Sequence, residues 1–295
     1  MMPLLSDETD LITLTTWTAN WQKDTKTSNQ ILALMLDFDG TLAPIVDDPM
    51  GAALVPGLLP VLKSLVNHPQ IKMAFVSGRS IDQLRHFLSG MQDEDTLFCG
   101  MHGGEIFNPK TQTYLREFQS DVVKDTLPVF TEALVAALDK ANFLKNGIFM
   151  EKKNHSIVMH YRMLDANYHQ AAVDIFHQQV DALKTKSSEP FVFKVQAGKT
   201  ILELLPAAFD KGDCVRFLMD YWQSEKVSKS QEASARRLFP FYMGDDITDE
   251  YAFGAVNQYN GLSVVVGKPL TESEATHAIA DELAVSQVLT TLAGK

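Results

Sequence analysis

The hydrophobic pattern alternates between two periods along the first part of the chain. Residues 31–36, 71–76 and 97–99 are short apolar runs with almost no charge, which is typical of buried strands. Between them, residues 55–67 and 81–88 repeat apolar side chains every three or four positions, as amphipathic helices do. This order of strands and helices predicts a parallel sheet with crossover helices.

The pattern changes between residues 118 and 206. The predicted elements of this block are a helix over 122–141, antiparallel strands over 148–153 and 156–162 around a turn at Asn154, a helix capped by Asp165, and strands over 191–195 and 200–205. We therefore predict an α/β fold in which a Rossmann-like parallel-sheet core, residues 1–117 and 207–295, contains an inserted smaller α/β domain over 118–206.

Two carboxylates follow the first predicted strand, in Leu-Asp-Phe-Asp-Gly-Thr-Leu. Ligand sites of open α/β sheets lie at this end of the strands. Because side chains alternate along an extended chain, Asp37 and Asp39 point to the same side, and Gly40 permits a sharp turn after them. We predict that Asp37 attacks phosphorus and that Asp39 transfers protons. The short pattern also suits an ordinary turn, so the interpretation depends on partner residues.

Such partners follow later in the chain. The second strand ends in Ser77, Gly78 and Arg79, which offer a hydroxyl and backbone donors to a phosphate. Lys211 begins a helical segment and could neutralise a phosphoryl group. After the apolar run 239–243 come four clustered carboxylates, those of Asp245, Asp246, Asp249 and Glu250. Carboxylate oxygens are ligands that Mg²⁺ prefers, so the sequence predicts a magnesium-dependent phosphoryl-transfer site.

This ordered set of motifs resembles the haloacid dehalogenase superfamily of phosphotransferases. The resemblance implies a two-step reaction through an aspartyl phosphate, with Asp37, Asp39, Ser77 and Lys211 as the catalytic residues. It also implies a metal-binding set consisting of Asp37, Asp39 through its backbone carbonyl, Asp245, Asp246 and Asp249. The inserted block is similar to the α/β cap of the sugar-phosphatase branch. Such a cap closes over the phosphate site and supplies specificity.

Charged side chains are paired along the predicted strands of the inserted block. Glu151 and Lys153 are two positions apart, and Arg162 lies on the returning strand. Lys199 and Glu203 likewise share a face of their strand. Carboxylates beside cations suit a polyhydroxylated sugar, although charges on the open face of a small sheet are common without any ligand. Spacing therefore leaves the binding role of these residues open.

Several segments together resemble the trehalose-6-phosphate phosphatase family, namely 103–105, 151–153, 160–162, 198–203 and 244–250. The resemblance extends over about residues 36–267 and implies hydrolysis of trehalose 6-phosphate in trehalose biosynthesis. The substrate-binding residues that it implies are Thr41, Gly78, Arg79, His102, Glu105, Glu151, Lys153, Arg162, Lys199 and Glu203.

The chain also departs from the family pattern. Tyr251 stands where an acidic residue is frequent, Leu205 where a basic one is frequent, and Met101 where His or Asn is common. The polar stretch 224–237 resembles an insertion before the last motif. None of these departures touches the proposed chemistry, but those in the cap leave the exact sugar specificity open.

Charge and composition limit the other functions. The net charge of −11 argues against nucleic acid or an anionic membrane as a partner. Residues 1–21 contain a predicted helix from residue 6 and lack the basic start and apolar run of a signal peptide. Cys99 and Cys214 are expected to be buried free thiols. We expect a cytoplasmic monomer whose partner is a small sugar phosphate.

Three other functions remain open at this point. A phosphatase for sucrose 6-phosphate or a mannosyl phosphate would share the core motifs, and a substrate panel would separate it. A phosphomutase would retain the phosphoryl group, so phosphate release would exclude it. A catalytically silent sugar-phosphate sensor or partner subunit of a synthase need not keep Asp37, Asp39, Lys211 and Asp245 together.

Overall fold

The computed structural model divides the chain into two compact units. The first consists of Met1–Glu117 and Phe209–Lys295, and the second of Phe118–Ala208. The residues that the structure describes are 7–24, 30–153, 155–186, 192–229, 237–268 and 272–295. Several predicted features therefore lie outside the described residues: the start of the first helix at Ser6, the turn at Asn154, the strand start at Phe191 and part of the stretch 224–237.

The first unit is an α/β structure, as predicted. Its elements are α1 (Asp7–Asp24), β1 (Gln30–Leu36), α2 (Leu58–Val66), β2 (Ile71–Val76), α3 (Ile81–Phe87), β3 (Thr96–Gly100), β4 (Glu105–Asn108), β5 (Thr113–Arg116), then α6 (Lys211–Lys229), β10 (Arg237–Gly244), α7 (Glu250–Gln258), β11 (Leu262–Val266), β12 (His277–Ile279) and α8 (Glu282–Leu292). The second unit supplies the elements numbered in between.

The eight-stranded sheet of this unit has the order β12-β11-β10-β1-β2-β3-β4-β5. The strands from β12 to β3 run parallel. Leu36 at the end of β1 lies in register with Met243 on β10 and Phe75 on β2. The ends of these three strands therefore meet at one edge of the sheet, which is where the motif residues follow.

Both faces of the sheet are covered, which explains the continuous apolar runs. Leu32, Leu34 and Leu36 pack in a core with side chains of α1, α2, α3 and α8. The alternate β1 side chains, including Ala33 and Met35, pack against α6 and α7. Each face of β1 thus contributes to a separate hydrophobic layer.

An antiparallel extension of this sheet was not predicted. β4 pairs antiparallel with β3, and β5 pairs antiparallel with β4. Both strands are four residues long, and they lie between turn-forming residues such as Gly104 and Pro109, so the local pattern resembles a loop. Burial of Ile106 and Phe107 follows from pairing with β3, which local periodicity does not encode.

The second unit is an antiparallel sheet with two helices on one face. Its elements are α4 (Asp121–Lys140), β6 (Phe149–Lys152), β7 (Ile157–His160), α5 (His169–Lys186), β8 (Phe193–Gly198) and β9 (Ile201–Pro206). The strand order is β6-β7-β9-β8. Met159, Leu202 and Leu204 pack in a core with the two helices. The side chains that alternate with these along the strands, including that of Glu203, lie on the opposite face of the sheet.

Three charged positions differ from the sequence expectation. Lys153 and Arg162 lie just beyond the ends of β6 and β7 rather than within strands. Lys199 was expected on a strand with Glu203, but it lies in the two-residue turn between β8 and β9. The strand begins later because Thr200 has a positive φ of 61°, which interrupts extended backbone.

Two smaller findings concern the cysteines and the helices. Cys99 and Cys214 are buried free thiols, as predicted. In the part of the chain that the structure describes, no helix combines the length and the apolar character needed to cross a membrane.

Candidate active site

Lys211 joins two buried carboxylates at the carboxyl edge of the large sheet. Its Nζ lies 2.8 Å from Asp37 Oδ1 and 2.8 Å from Asp249 Oδ1. Asp37 directly follows β1, and Lys211 is the first residue of α6. All three side chains are buried. The fold therefore brings the predicted motifs that contain Asp37, Lys211 and Asp249 into direct contact.

Asp249 is held by four hydrogen-bond donors. Its Oδ1 accepts from Lys211 and from the hydroxyl of Tyr242, 2.6 Å away. Its Oδ2 accepts from the backbone N–H groups of Asp245 and Asp246. These donors hold the carboxylate in one orientation, because each oxygen is constrained by two of them.

Tyr242 is a site residue that sequence reasoning missed. It lies on β10 within a strand-like run and is fully buried, so the pattern suggests ordinary core packing. A polar hydroxyl in an otherwise apolar strand that leads into an acidic motif was the available signal, since buried tyrosines usually find a hydrogen-bond partner.

A group of three buried carboxylates could hold a metal ion. One oxygen from each of Asp37, Asp245 and Asp249 lies within 4.8 Å of the others. Gly40 has a φ of +71°, and an added Cβ there would clash with the Asp245 carboxylate. The glycine thus permits both the turn and the close approach of Asp245. Hard oxygen donors in a compact group fit a divalent cation such as Mg²⁺ or Ca²⁺.

The pKa shifts within this group of carboxylates also favour a bound cation. Burial raises the pKa of Asp37 well above its ordinary value, and Asp249 and Asp245 raise it further, while Lys211 opposes them. Burial alone would lower the pKa of Lys211, but the attraction of Asp249 and Asp37 outweighs burial and raises it. The charged lysine balances only part of the carboxylate charge. A bound divalent cation would relieve the remainder.

Asp246 occupies a different place from the other motif carboxylates. Its Oδ1 accepts a hydrogen bond from the backbone N–H of Ile247 at 2.7 Å. This contact caps the short turn that leads into α7. The predicted role of Asp246 toward a metal is therefore accompanied by an evident role in the loop itself.

Asp39 is bound by Arg79 in a bidentate ion pair. The guanidinium Nε lies 2.7 Å from Asp39 Oδ2, and Nη2 lies 2.6 Å from Oδ1. Arg79 also lies over the ring of Phe87, with its Cζ 4.3 Å from the ring centroid. Arg79 was predicted to bind substrate, and in this structure its guanidinium contacts Asp39.

The remaining predicted residues of the core follow the ends of β1, β2 and β3. Ser77 is buried, and its Oγ accepts from Arg79 N. Thr41 is buried, and its Oγ1 has no hydrogen-bond partner among the described residues. Thr41 could therefore donate to an added anion.

His102 and Glu105 lie at the junction of β3 and β4, where strand pairing in the sheet changes from parallel to antiparallel. His102 has a positive φ of 56°, and its ring packs so closely on Gly78 that a Cβ there would clash. Glu105 is buried at the start of β4. The structure thus brings Gly78 and His102 into contact and places Glu105 on the strand that follows.

In the second unit, Glu203 is at the centre of a buried polar group. Glu203 Oε1 accepts from Lys153 Nζ at 3.1 Å and from Ser156 Oγ at 2.5 Å. Ser156 was not predicted as a site residue, because a serine beside a turn looks like turn chemistry. The contact depends on pairing between β7 and β9, which brings Glu203 opposite Val158.

The other charged residues of this unit form two further contacts. Glu151 Oε2 lies 2.9 Å from His160 Nε2 on the neighbouring strand. The guanidinium of Arg162 lies near the turn that contains Lys199, with Nη2 3.4 Å from the Lys199 carbonyl oxygen. The five predicted residues of the second unit therefore occur in three contact groups, to which Lys199 contributes its backbone carbonyl oxygen.

Comparison with known proteins gives consistent results. The sequence model of the trehalose-phosphatase family matches residues 35–286. The chain is 30% identical over 250 residues to a trehalose-phosphate phosphatase of Mycobacterium leprae, covering 84% of this chain and 53% of that protein. It is 26% identical over 264 residues to trehalose-phosphate phosphatase B of Arabidopsis thaliana, covering 88% and 65%.

A solved structure shares the fold. The C-terminal domain of a trehalose-6-phosphate phosphatase from C. albicans superimposes with a TM-score of 0.76 at 21% identity, covering 100% of this chain and 98% of that one. The chain spans about half to two thirds of the length of the two curated relatives. Because the family match runs through all the core motifs and most of the chain, the chain belongs to the trehalose-phosphatase family.

Proposed function

We propose that this chain hydrolyses trehalose 6-phosphate to trehalose and phosphate through an aspartyl phosphate on Asp37. The observation that carries the proposal is the Lys211 ammonium, which lies 2.8 Å from both Asp37 and Asp249 at the carboxyl edge of the sheet. Family membership supports the substrate class, because the relatives from M. leprae and A. thaliana are named trehalose-phosphate phosphatases.

In the first step an Asp37 oxygen forms a bond to phosphorus, and the bond between phosphorus and the sugar oxygen breaks. Asp39 donates a proton to the departing oxygen, which leaves as the sugar hydroxyl. Lys211 neutralises charge on the phosphoryl group, and the hydroxyls of Ser77 and Thr41 donate to phosphoryl oxygens. The buried Thr41 hydroxyl supports this role.

In the second step water attacks phosphorus, and Asp39 accepts a proton from it. The bond between phosphorus and the Asp37 oxygen breaks, so that phosphate and the free carboxylate are regenerated. Arg79 would orient Asp39 through the bidentate contact. Splitting hydrolysis in this way replaces one difficult displacement by two easier ones.

We infer that the cation is Mg²⁺, held by Asp37, the backbone carbonyl of Asp39 and Asp245. When bound, it would offset the charges of the nucleophile and the phosphoryl group and thereby ease their approach. Asp249 would hold Lys211, and Asp246 would orient groups around the cation. The compact carboxylate group and the close approach of Asp245 to Gly40 support this assignment.

Recognition of the sugar is proposed for the second unit. Glu151, Lys153, Arg162, Lys199 and Glu203 provide both acceptors and donors, which a polyhydroxylated ligand requires. The hydrogen-bonded contacts of Glu151, Lys153, Arg162 and Glu203 support the proposal, since such contacts orient side chains before a ligand binds. Gly78, His102 and Glu105 are proposed to complete substrate binding in the first unit.

The remaining proposals concern surroundings and assembly. We propose that the protein acts in the cytoplasm as a monomer and binds neither nucleic acid nor membranes. The net charge of −11 argues against nucleic acid and anionic membranes as partners, and the two buried free thiols suit a reducing compartment. Sedimentation in solution would test the oligomeric state.

The test of the chemistry is magnesium-dependent phosphate release from a panel of substrates. The panel comprises trehalose 6-phosphate, glucose 6-phosphate, sucrose 6-phosphate and a small aryl phosphate, each with wild type and Asp37→Asn. We expect a strong preference for trehalose 6-phosphate and loss of all turnover in Asp37→Asn. Substantial metal-dependent activity in that variant would rule out Asp37 as the nucleophile. Turnover of the aryl ester alone would retain the mechanism and reject the sugar assignment.

The test of sugar recognition is Glu203→Ala with the same substrates. We expect KM for trehalose 6-phosphate to rise far more than KM for the aryl phosphate, because only the sugar would contact Glu203. Asp181→Ala is the matched control, since Asp181 is an exposed acid in the same unit that pairs with Lys184 on the surface. Equal effects of Glu203→Ala on both substrates would reject a role in sugar binding.

A further inference from the structure

The turn between β8 and β9 has an unfavourable backbone conformation. Gly198 pairs with Ile201, so Lys199 and Thr200 form a two-residue hairpin loop. Loops of this length favour turns in which the first loop residue has a positive φ. Here Thr200, the second residue, has a φ of 61°, and Lys199 is not among the described residues with positive φ. This is the sign pattern of a type II turn, which normally has Gly or Asn at that position.

Threonine is poorly suited to this conformation. A branched side chain in the left-handed region crowds its own backbone, and such residues are genuine outliers. Backbone strain of this kind persists where other contacts compensate for it, and it is common at functional sites. A glycine at position 200 would relieve the strain, so the side chain of Thr200 is expected to have a role that glycine lacks.

The hydroxyl of Thr200 has a defined set of partners. It lies 2.6 Å from the Lys199 carbonyl oxygen and donates its proton there. Its oxygen then accepts from Arg162 Nε at 3.3 Å, while Arg162 Nη2 reaches the Lys199 carbonyl oxygen at 3.4 Å. Two nitrogens of one guanidinium therefore face two acceptors of the same strained turn.

A backbone contact ties the same turn to the residue that precedes Arg162. The N–H of Tyr161 donates to the Thr200 carbonyl oxygen at 3.1 Å. Arg162 is thus constrained twice, through its neighbour's backbone and through its own guanidinium. A planar guanidinium that is held by two acceptors has one preferred orientation.

We propose that Thr200 is a positioning residue for sugar-phosphate recognition: the strained turn holds the guanidinium of Arg162 in the orientation that binds substrate. The inference rests on the proposed function, since it assumes that Arg162 contacts the sugar phosphate. The strain in the turn is the cost of placing the Thr200 hydroxyl and the Lys199 carbonyl side by side.

The test compares Thr200→Gly with Thr200→Ser, using trehalose 6-phosphate, a small aryl phosphate and thermal unfolding. Thr200→Gly relieves the strain but removes the hydroxyl, so we expect KM for trehalose 6-phosphate to rise about five- to tenfold, as for the loss of one ordinary hydrogen bond. We expect Tm to stay level or rise. Thr200→Ser keeps the hydroxyl, so we expect KM within about twofold of wild type.

Asn142→Gly is the matched control. Asn142 lies in the same unit and also has a positive φ, 58°, but it is not among the proposed binding residues. We expect it to leave KM for both substrates unchanged. A wild-type KM in Thr200→Gly, an equal rise for both substrates, or a marked fall in Tm would each overturn the inference, because the turn would then serve only the fold.

Arg162→Lys separates this inference from the proposed function. A raised KM for trehalose 6-phosphate in Arg162→Lys with a wild-type KM in Thr200→Gly would reject the positioning role alone. An unchanged KM in Arg162→Lys would reject the proposed binding role of Arg162, and the positioning role of Thr200 with it.

Discussion

Lys211 and Asp249 determine the charge balance of the core site. Burying an ammonium group is costly unless acceptors replace water, and Asp37 and Asp249 supply two of them. The Tyr242 hydroxyl shares Asp249 Oδ1 with Lys211. Asp249 therefore helps to orient the Lys211 ammonium toward Asp37.

Gly40 gives the first prediction. A methyl group at this position would occupy the place of the Asp245 carboxylate, and the φ of +71° would add strain. We expect Gly40→Ala to weaken magnesium affinity by about 10- to 100-fold, comparable with the loss of a group that supports a metal ligand. Calorimetric titration with Mg²⁺ and the magnesium dependence of activity would measure the change.

Gly254 provides the matched control for Gly40. It lies within α7, and an added Cβ would meet nothing within 4 Å. Gly254→Ala should therefore retain magnesium affinity and raise the free energy of unfolding by about 0.5–1 kcal/mol. If Gly40→Ala bound magnesium as well as wild type, the assignment of Asp245 to the metal would have to be abandoned.

His68 gives a prediction for pH dependence. Burial lowers its pKa from the ordinary value of 6.5, and its ring packs against Trp21. The unfolded chain then takes up a proton at higher pH than the folded chain. The stabilising contribution is therefore present above about pH 6.5, and it is lost as pH falls from there through the lower pKa of the folded chain.

The measurement is the free energy of unfolding between about pH 7 and pH 5 for wild type and His68→Gln. We expect the variant to lose less stability over this range than wild type. His86→Gln serves as the control, because His86 is exposed on α3. The same pH dependence in wild type and His68→Gln would contradict the effect of burial.

Among the elements, α1 protects an exposed edge of the large sheet. β12 is the edge strand, and edge strands leave backbone groups without a strand partner. Asp10 on α1 is fully buried and accepts a hydrogen bond from Ala278 N on β12 at 2.8 Å. The helix thus supplies both apolar cover and a specific acceptor, which explains part of the role of the N-terminal segment.

Removal of this acceptor gives the next prediction. Asp10→Ala leaves a buried N–H without its partner, so we expect the free energy of unfolding to fall by about 1–3 kcal/mol. Thr13→Ala on the exposed side of the same helix should change it by less than about 0.5 kcal/mol. Urea unfolding would measure both, and equal losses in the two variants would show that Asp10 has no specific docking role.

At the level of the complete chain, the two units have separate hydrophobic cores. The core of the second unit contains side chains from α4, α5 and its own strands. Phe118–Ala208 also forms one compact unit. A segment with its own core can fold alone, although one of this size has modest stability.

We therefore predict that residues 118–208, expressed alone, unfold in a single cooperative thermal transition. Circular dichroism would measure the transition. Phe176→Ala should lower the free energy of unfolding of this fragment by about 3–5 kcal/mol, since Phe176 is fully buried in the core. A fragment without a cooperative transition would contradict the predicted domain of residues 118–206 as an independently folding unit.

Much of the fold and of the core site could be predicted from local patterns. Strand β2 has the predicted bounds, and β1 begins one residue early, because burial on both faces makes a run apolar. Asp37, Lys211 and Asp249 could be selected because their residue types suit phosphoryl chemistry and each belongs to a motif next to a predicted element. Each of these signals is local, because each residue lies within a few positions of the predicted element beside it.

Contacts between distant segments could not be predicted in the same way. The antiparallel extension through β4 and β5, the Tyr242 contact with Asp249 and the Ser156 contact with Glu203 depend on which strands and loops become neighbours. An alternating pattern states which face of a strand is buried, but it does not state which side chain lies opposite. Those partners are selected by register and packing, which exist only once the sheets have formed.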